Sequence, residues 1–421
     1  MLPELDVHRC TTAVLLLWIF VPVASEAAEP APTRVLRLDA AQAAALAANP
    51  DLEAAAAELR AHDAATRQAA LRPNPELILE VEDVAGSGAY HGVEEAQTTL
   101  GVIQTFELGG DRAARTAVAA RRRDLARFDE DAKRLDLLAE TTSAFVEVLI
   151  AQEELRNVTA LLDLVRAERR AMGAGAARAL EGGEAHLAET AAEIRVSRGR
   201  AQLDTARRVL ASVMGVATLD YDAAVGDLER GSEPPALDAL LARIGENPDL
   251  ARFGAERAER EANLALARAS RIPDPQVGAG ARHFAGTGDA ALVVEVGIPL
   301  PLFDRRQGAI REASERVAAA ASERAAVERR LRRDLIAGHG RWVAAEQELR
   351  TIRDELLPIA RRALDALRAA HRRGAASELD VVAAGHMELA NVDRMLAVLR
   401  EYAETRVVCE RLVGGFVGEL R

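Results

Sequence analysis

The sequence predicts a mainly α-helical chain that also carries four β-strands, laid out as two copies of one plan. Three observations lead there. Ala, Leu, Arg and Glu dominate a 421-residue chain that is 49% hydrophobic but only 3% aromatic, the composition of long helices. Apolar residues recur every seven positions over long stretches, as a supercoiled helical seam requires. Short motifs also return at a nearly constant offset. Asn49-Pro-Asp-Leu52 recurs as Asn247-Pro-Asp-Leu250, and Arg72-Pro-Asn-Pro-Glu-Leu77 as Ile272-Pro-Asp-Pro-Gln-Val277. Gly175-Ala-Ala-Arg-Ala-Leu-Glu181 recurs as Gly374-Ala-Ala-Ser-Glu-Leu-Asp380, so the three offsets are 198, 200 and 199. Three matches in one order imply a duplication.

Charge and cysteine usage exclude several classes. The formal net charge is −12, from 54 basic and 66 acidic residues. Lys133 is the one lysine, and no basic block exists to hold a nucleic-acid backbone. Cys10 and Cys409 form no Cys-x-x-Cys pair, which excludes a thiolate zinc site. No apolar run reaches the length of a transmembrane helix.

The first element, residues 1–27, reads as a signal peptide. Ala13–Val23 is an apolar run of secretory length, and Ser25-Glu26-Ala27 offers a cleavage site. Its basic end is weak, with Arg9 offset by Glu4 and Asp6. Cys10 precedes the run, whereas a lipoprotein cysteine would follow it, so no lipid anchor is expected. Cleavage would leave Cys409 as a free thiol.

The first repeat spans 35–215 and the second 236–415, joined by a connector, 216–235, with Gly226, Gly231, Pro234 and Pro235 as punctuation. In each repeat a helix starts near Asp39 or Leu237 and breaks at the Asn-Pro step. Asn49 and Asn247 then cap the next helix, with Pro50 and Pro248 in its first turn. The x-Pro-x-Pro elements end that helix and begin extended chain. The hydrophobic period now changes to two. Leu77, Leu79 and Val81 alternate with Ile78, Glu80 and Glu82; Leu292, Val294, Val296 and Ile298 alternate with Val293, Glu295 and Gly297. One β-hairpin is expected over 76–106, with strands near 76–86 and 96–106. The other is expected over 276–300, with strands near 276–285 and 290–300.

Long helical hairpins follow, over 111–213 and 304–413. Leu138, Phe145 and Gln152 are spaced by sevens, as are Leu155 and Leu162; so are Leu335, Trp342, Leu349 and Leu356, and Ile352 and Ile359. A helix from Asp111 to Met172 would reach about 90 Å at 1.5 Å per residue. Pro358 should bend the second one. Both hairpins turn at glycine-rich tips.

Four strands cannot close a barrel, and an open sheet edge cannot face lipid. Three copies supply twelve strands, an allowed count for a barrel in a bacterial outer membrane. The expected fold is therefore mainly α with a membrane β-barrel: a trimeric twelve-stranded barrel continued by an α-barrel of helical hairpins.

The duplicated Asn-Pro-Asp-Leu, the paired x-Pro-x-Pro elements and two post-hairpin segments carry a resemblance over nearly the whole mature chain. Those segments are Gln104-Thr-Phe-Glu-Leu-Gly-Gly-Asp-Arg112 and Ile298-Pro-Leu-Pro-Leu-Phe-Asp-Arg-Arg-Gln-Gly308. The chain resembles the TolC-like outer-membrane efflux family. The second segment, with Pro299, Pro301 and Gly308, is most similar to the heavy-metal cation-efflux, CzcC-like branch. The resemblance implies a homotrimer in the outer membrane with a periplasmic extension. It also implies a periplasmic adaptor (membrane fusion) protein and an inner-membrane efflux pump as partners. The chain would be a passive exit duct, with heavy-metal cations as cargo. The alternatives are a drug-efflux or type I secretion channel of the same fold, and a periplasmic coiled-coil adaptor. An adaptor should carry one helical hairpin rather than two tandem copies.

No catalytic, cofactor-binding or metal site is expected. The eight His are scattered, with no His-x-x-x-His pair; His91 and His283 near the hairpin loops read as surface residues or weak cation contacts. The resemblance implies adaptor contact at the tips, Gly175, Ala176, Ala177, Gly374, Ala375 and Ala376. Their plainer role is to fit a tight turn. Glu181, Glu184, Glu378 and Asp380 just beyond them are entrance carboxylates or ordinary first-turn acids. Tyr90, Phe284, Phe106 and Phe303 suit interfacial aromatic girdles, with core packing the alternative for the last two.

Overall fold

The computed structural model describes residues 34–171, 180–226 and 233–415. The expected signal peptide, 1–27, and the tip residues Gly175, Ala176 and Ala177 lie outside the described residues. The first half opens with β1 (Val35–Leu36), α1 (Leu38–Ala48) and α2 (Pro50–Ala69). Then come β2 (Glu76–Glu82), β3 (Gln97–Thr105), α3 (Asp111–Ala171) and α4 (Leu180–Val213). β4 (Ala223–Ala224) lies in the connector and pairs in parallel with β1, a two-residue ladder that hydrophobic periodicity does not announce. The second half repeats the order with α5 (Leu237–Arg243), α6 (Pro248–Ala269), β5 (Gln276–Phe284), β6 (Ala290–Gly297), α7 (Gln307–Thr351), α8 (Leu357–Arg372) and α9 (Glu378–Leu412).

The Asn-Pro steps begin α2 and α6 with a side-chain cap and a second contact. Asn49 Oδ1 accepts the Asp51 N–H at 2.8 Å and Asn247 Oδ1 accepts that of Asp249 at 2.8 Å. The amide nitrogens reach elsewhere: Asn49 Nδ2 donates to Val213 O at 2.9 Å, and Asn247 Nδ2 to Leu412 O at 3.0 Å and Arg411 O at 3.2 Å. Each Asn thus clasps the far end of the returning helix of its own half. The clasp needs glycine next to it. Gly215 and Gly414 end α4 and α9 with φ of +71° and +81°, and a Cβ there would lie 2.6 Å from Ala48 O and 2.5 Å from Glu246 O.

α3 runs 61 residues without a break, about 92 Å, from the sheet to Ala171. It packs against α2 and α6 near the sheet and against α4 and α9 farther down. Two cores form where α1 and α5 cover the long helices. One joins Ala41 and Ala45 to Phe145, Val148, Leu149, Leu210 and Met214. The other joins Leu240 and Ile244 to Leu335, Trp342, Leu349, Leu396 and Leu399, with Ile150 of α3. Trp342 meets Tyr402 edge-on, ring centres 6.3 Å apart. Gln152, on the heptad seam, is polar for a reason: its amide donates to Ala224 O at 3.0 Å and accepts the Ala224 N–H at 2.9 Å.

Three expectations need correction. β2 stops at Glu82, not near 86, because Asp83 and Ala85 turn into the left-handed region with φ of 58° and 57°. β6 stops at Gly297, ahead of Pro299, which has no N–H for a ladder. The second seam is not seven-periodic throughout. Pro358 has no N–H, and the helix passes it through a π-helical turn, Ile352–Leu356. That turn adds one residue to the winding. Seven becomes eight: Leu349 and Ile352 are succeeded in the core by Leu357 and Ala360, while Ile359 is 56% exposed.

Candidate functional site

The alternating strands form one antiparallel sheet of order β2-β3-β5-β6, so the two hairpins join through β3 and β5. Residues opposite one another in antiparallel strands share a face. Leu77 faces Val102, Leu79 faces Leu100, Ala281 faces Leu292 and Ala279 faces Val294. These, with Val277 and Val296, make an apolar face that nothing among the described residues covers; Leu292 is 79% exposed. Among the described residues β2 and β6 each leave one edge unpaired.

The opposite face is polar. It carries Glu80, Glu82, Gln97, Thr99, Arg282 and Glu295. Arg282 is its hub. It donates to Thr99 Oγ1 at 2.8 Å and Gln97 Oε1 at 3.1 Å, and pairs with Glu82 at 2.8 Å and Glu80 at 4.0 Å. Below it two glycines open the middle of the face: Gly101 lies opposite Gly280, with Ile78 and Val293 on either side, and in the next row Ile103 lies opposite Gly278. A Cβ at Gly280 would fall 2.6 Å from Leu100 O, so a side chain there would push the strands apart. An apolar outside and a polar, glycine-floored inside suit a wall between lipid and a water-filled lumen. The alternation Gly278, Gly280, Arg282 against Val277, Ala279, Ala281 was readable in the sequence; that Arg282 bridges to β2 and β3 was not, because it depends on the register between repeats.

Phe106 and Phe303 are not core residues: Phe303 is 91% exposed. Tyr90 is exposed at the loop end of the sheet and Phe284 half-buried. His91 is exposed, and His283 Nδ1 lies 3.2 Å from Asp289 O. Among the described residues no group of three or more His, Cys, Asp or Glu could hold a metal ion.

At the second tip, Gly374 turns with φ +72°, and its N–H and that of Ala375 donate to His371 O at 2.8 Å and Ala370 O at 2.9 Å. Ala375 is exposed and Ala376 half-buried. Ser377 and Asp380 cap α9 reciprocally. Ser377 Oγ accepts the Asp380 N–H at 3.1 Å, and Asp380 Oδ2 accepts the Ser377 N–H at 2.9 Å and its hydroxyl at 2.7 Å. Those Ser377 hydrogen bonds, the hydroxyl first, hold the Asp380 carboxyl below the usual carboxylate range. Glu378 is exposed in the same turn. Glu181 and Glu184 fall in the first turns of α4.

Comparison with known proteins gives four findings. The sequence profile of the family described as "Outer membrane efflux protein" matches residues 42–216 and again 241–415. The cobalt-zinc-cadmium resistance protein CzcC of Cupriavidus metallidurans is 30% identical over 416 residues, 98% of this chain and 96% of that one. The nickel and cobalt resistance protein CnrC of the same organism is 32% identical over 314 residues, 72% of each. Among solved structures, the open state of the Neisseria gonorrhoeae MtrE outer membrane channel superposes with a TM-score of 0.72 at 16% identity, over 91% of this chain and 90% of that one.

Proposed function

The chain belongs to the outer membrane efflux protein family, and on that premise we propose that it is the passive exit duct of a tripartite efflux system for heavy-metal cations. One observation carries the duct reading: the four-stranded sheet with a bare apolar face, a polar face and two unpaired edges. Lipid does not tolerate unpaired backbone groups. Pairing β6 of one copy with β2 of the next removes both edges, and three copies close a twelve-stranded barrel. The helices would continue it as a periplasmic tube about 90 Å long. Nothing in such a duct consumes energy; an inner-membrane pump supplies the drive through a periplasmic adaptor.

The cargo reading rests on the full-length similarity to a cobalt-zinc-cadmium resistance protein. The adaptor would meet the tips, where Gly374, Ala375 and Ala376 keep the turn small, as would Gly175, Ala176 and Ala177 in the first repeat. Glu378, Glu181 and Glu184 would add negative charge at a three-fold entrance, with Asp380 contributing what its cap leaves free.

Deleting the gene should lower tolerance to cobalt, zinc and cadmium, and the intact gene should restore it. Unchanged metal tolerance with lost drug tolerance would leave the duct and replace the cargo. In detergent the full chain should sediment as three copies; a stable monomer in the absence of detergent would end the barrel reading. Bulky charge at Ala375 should abolish efflux while the trimer still assembles.

A further inference from the structure

Four arginines stand at the helix-side end of the sheet, among exposed apolar groups. The register Glu76↔Ile103, Thr105↔Gln276 and Gln276↔Gly297 brings the starts of β2 and β5 and the ends of β3 and β6 to one level. The flanking segments, 71–75, 106–110, 271–275 and 298–306, therefore meet there. Direct bonds tie the first three: Phe106 N–H to Pro275 O at 2.9 Å, Leu108 N–H to Asp274 Oδ1 at 3.1 Å, and Gln104 Nε2 to Pro73 O at 3.0 Å; the fourth joins the level through the Gln276↔Gly297 pair.

The side chains at this level include apolar ones that no described residue covers. Leu108, Ile272, Leu302 and Phe303 are all exposed large hydrophobics. They continue the bare face of the sheet, since Ile298 prolongs the alternation of Leu292, Val294 and Val296. Among them stand Arg72, Arg271, Arg305 and Arg306, all exposed. No side-chain hydrogen bond or ion pair engages them among the described residues. Four of the acids nearby are engaged elsewhere: Glu107 by Arg115 at 2.7 Å, Asp274 by Leu108, Asp111 by Ser270 and Asp304 by the Arg306 N–H at 2.8 Å; Glu76, opposite Ile103, lies on the lumen face of the sheet, away from Leu77 and the apolar face. The pattern is built twice, in reversed order, as Leu71-Arg72-Pro73 and Arg271-Ile272-Pro273. Arg305 and Arg306 are set in a fixed turn. Arg306 holds φ at 59°, the Arg305 N–H donates to Gln307 Oε1 at 2.8 Å, and Gln307 Nε2 returns to Phe303 O at 3.2 Å.

We propose that this level binds the headgroups of anionic phospholipids in the periplasmic leaflet. The apolar side chains enter the acyl boundary, and the guanidinium groups take the phosphates. A planar guanidinium matches phosphate oxygens two at a time. Continuity with the lipid-facing sheet and complementary charge both point to lipid as the occupant. The inference rests on reading the sheet as membrane-inserted.

The test uses the assembled full-length chain with Phe303→Trp as reporter, in phosphatidylcholine vesicles holding equal fractions of brominated phosphatidylcholine or brominated phosphatidylglycerol. Trp342 is fully buried and stays out of the quenchers' reach. Both lipids should quench, with phosphatidylglycerol associating about fivefold more strongly for each arginine engaged. The preference should fall about fivefold for each engaged arginine removed in R305Q/R306Q, and towards one in the unsubstituted arginine background as salt is raised. Equal association in low salt would overturn the headgroup site. So would absence of quenching at Phe303→Trp when Val294→Trp, on the sheet face, is quenched. Loss of the oligomer in R305Q/R306Q with the salt-sensitive preference absent would assign the arginines to acids of a neighbouring subunit and overturn it too. If Val294→Trp also escapes quenching, the membrane-inserted sheet falls and takes the headgroup site with it.

Discussion

Replacing Asn247 by Ala should loosen the end of the second helical hairpin far more than its place in the short connection between α5 and α6 suggests. Asn247 is 0% exposed. It caps α6 through Asp249 N–H at 2.8 Å and closes two carbonyls of α9, Arg411 O at 3.2 Å and Leu412 O at 3.0 Å. Losing the cap costs about 1 kcal/mol. Leaving a buried carbonyl unpaired costs about 1–3 kcal/mol. Together they give about 3 kcal/mol, or roughly a hundredfold rise in local opening. Asn49, half-buried, closes a single carbonyl, Val213 O. Its Ala variant should cost less, about 1–2 kcal/mol, because water reaches the half-buried site and takes over most of the released carbonyl, leaving mainly the cap. Hydrogen–deuterium exchange on the detergent-solubilised protein reads this directly, at the amides of the α9 terminus for Asn247→Ala and of the α4 terminus for Asn49→Ala. Asn247→Asp separates the two roles. It keeps the cap acceptor but turns an oxygen towards two carbonyls, so it should exchange at least as fast as the Ala variant. Wild-type exchange in Asn247→Ala, or full rescue by Asp, would refute the clasp and leave only a helix cap.

Other expectations follow from particular contacts. Val294→Arg puts a charge on the lipid side and should cost about 2–4 kcal/mol in membrane-assembled protein, whereas Glu295→Gln on the lumen side should assemble normally; equal losses would reject the face assignment. Deleting Glu355 removes the extra residue of the π-helical turn, so in a Pro358→Ala background Leu357, Ala360 and Leu364 should stay on the seam and melting should change little by circular dichroism. With Pro358 retained, the same deletion forces proline into an ordinary α-helix and should cost about 3 kcal/mol. Burial pushes the Cys409 thiol up to about 11; with so little thiolate, iodoacetamide at pH 8 should alkylate the folded protein at least about a hundredfold more slowly than the urea-unfolded one. The Asp380 carboxyl titrates lower in the folded tip than in the unfolded chain. Its capping contribution is therefore complete above the unfolded value, about 3.9, and is lost as pH falls through the lower folded value. A spin label at Ala375 should keep its mobility from pH 7 to 5 and loosen only below about pH 4; a step at pH 5–6 would contradict the assignment.

Periodicity and punctuation decided much of this protein in the sequence alone. Local chemistry suffices for the starts of α2 and α6, because Asn before Pro is both a cap and a fixed φ. It suffices for the length of α3, because nothing between Asp111 and Ala171 breaks a helix. It suffices for the faces of β2 and β6, because the side-chain period of a strand is two. The offset of about 199 residues made each half a check on the other. What the tertiary structure decided lies wherever two distant segments share one group. The second role of Asn247 needs the end of α9 beside it, 164 residues on. Gln152 sits on an apolar seam because β4 offers it a backbone edge. Ile359 leaves its heptad because Pro358 inserts a π-helical turn, which a fixed seven-residue count cannot represent. Arg282 can bridge β2 and β3 only once β3 pairs with β5, and that register joins the two repeats across about 180 residues of chain. A one-dimensional pattern records which face a residue takes; it holds no information on which distant backbone group that face will meet.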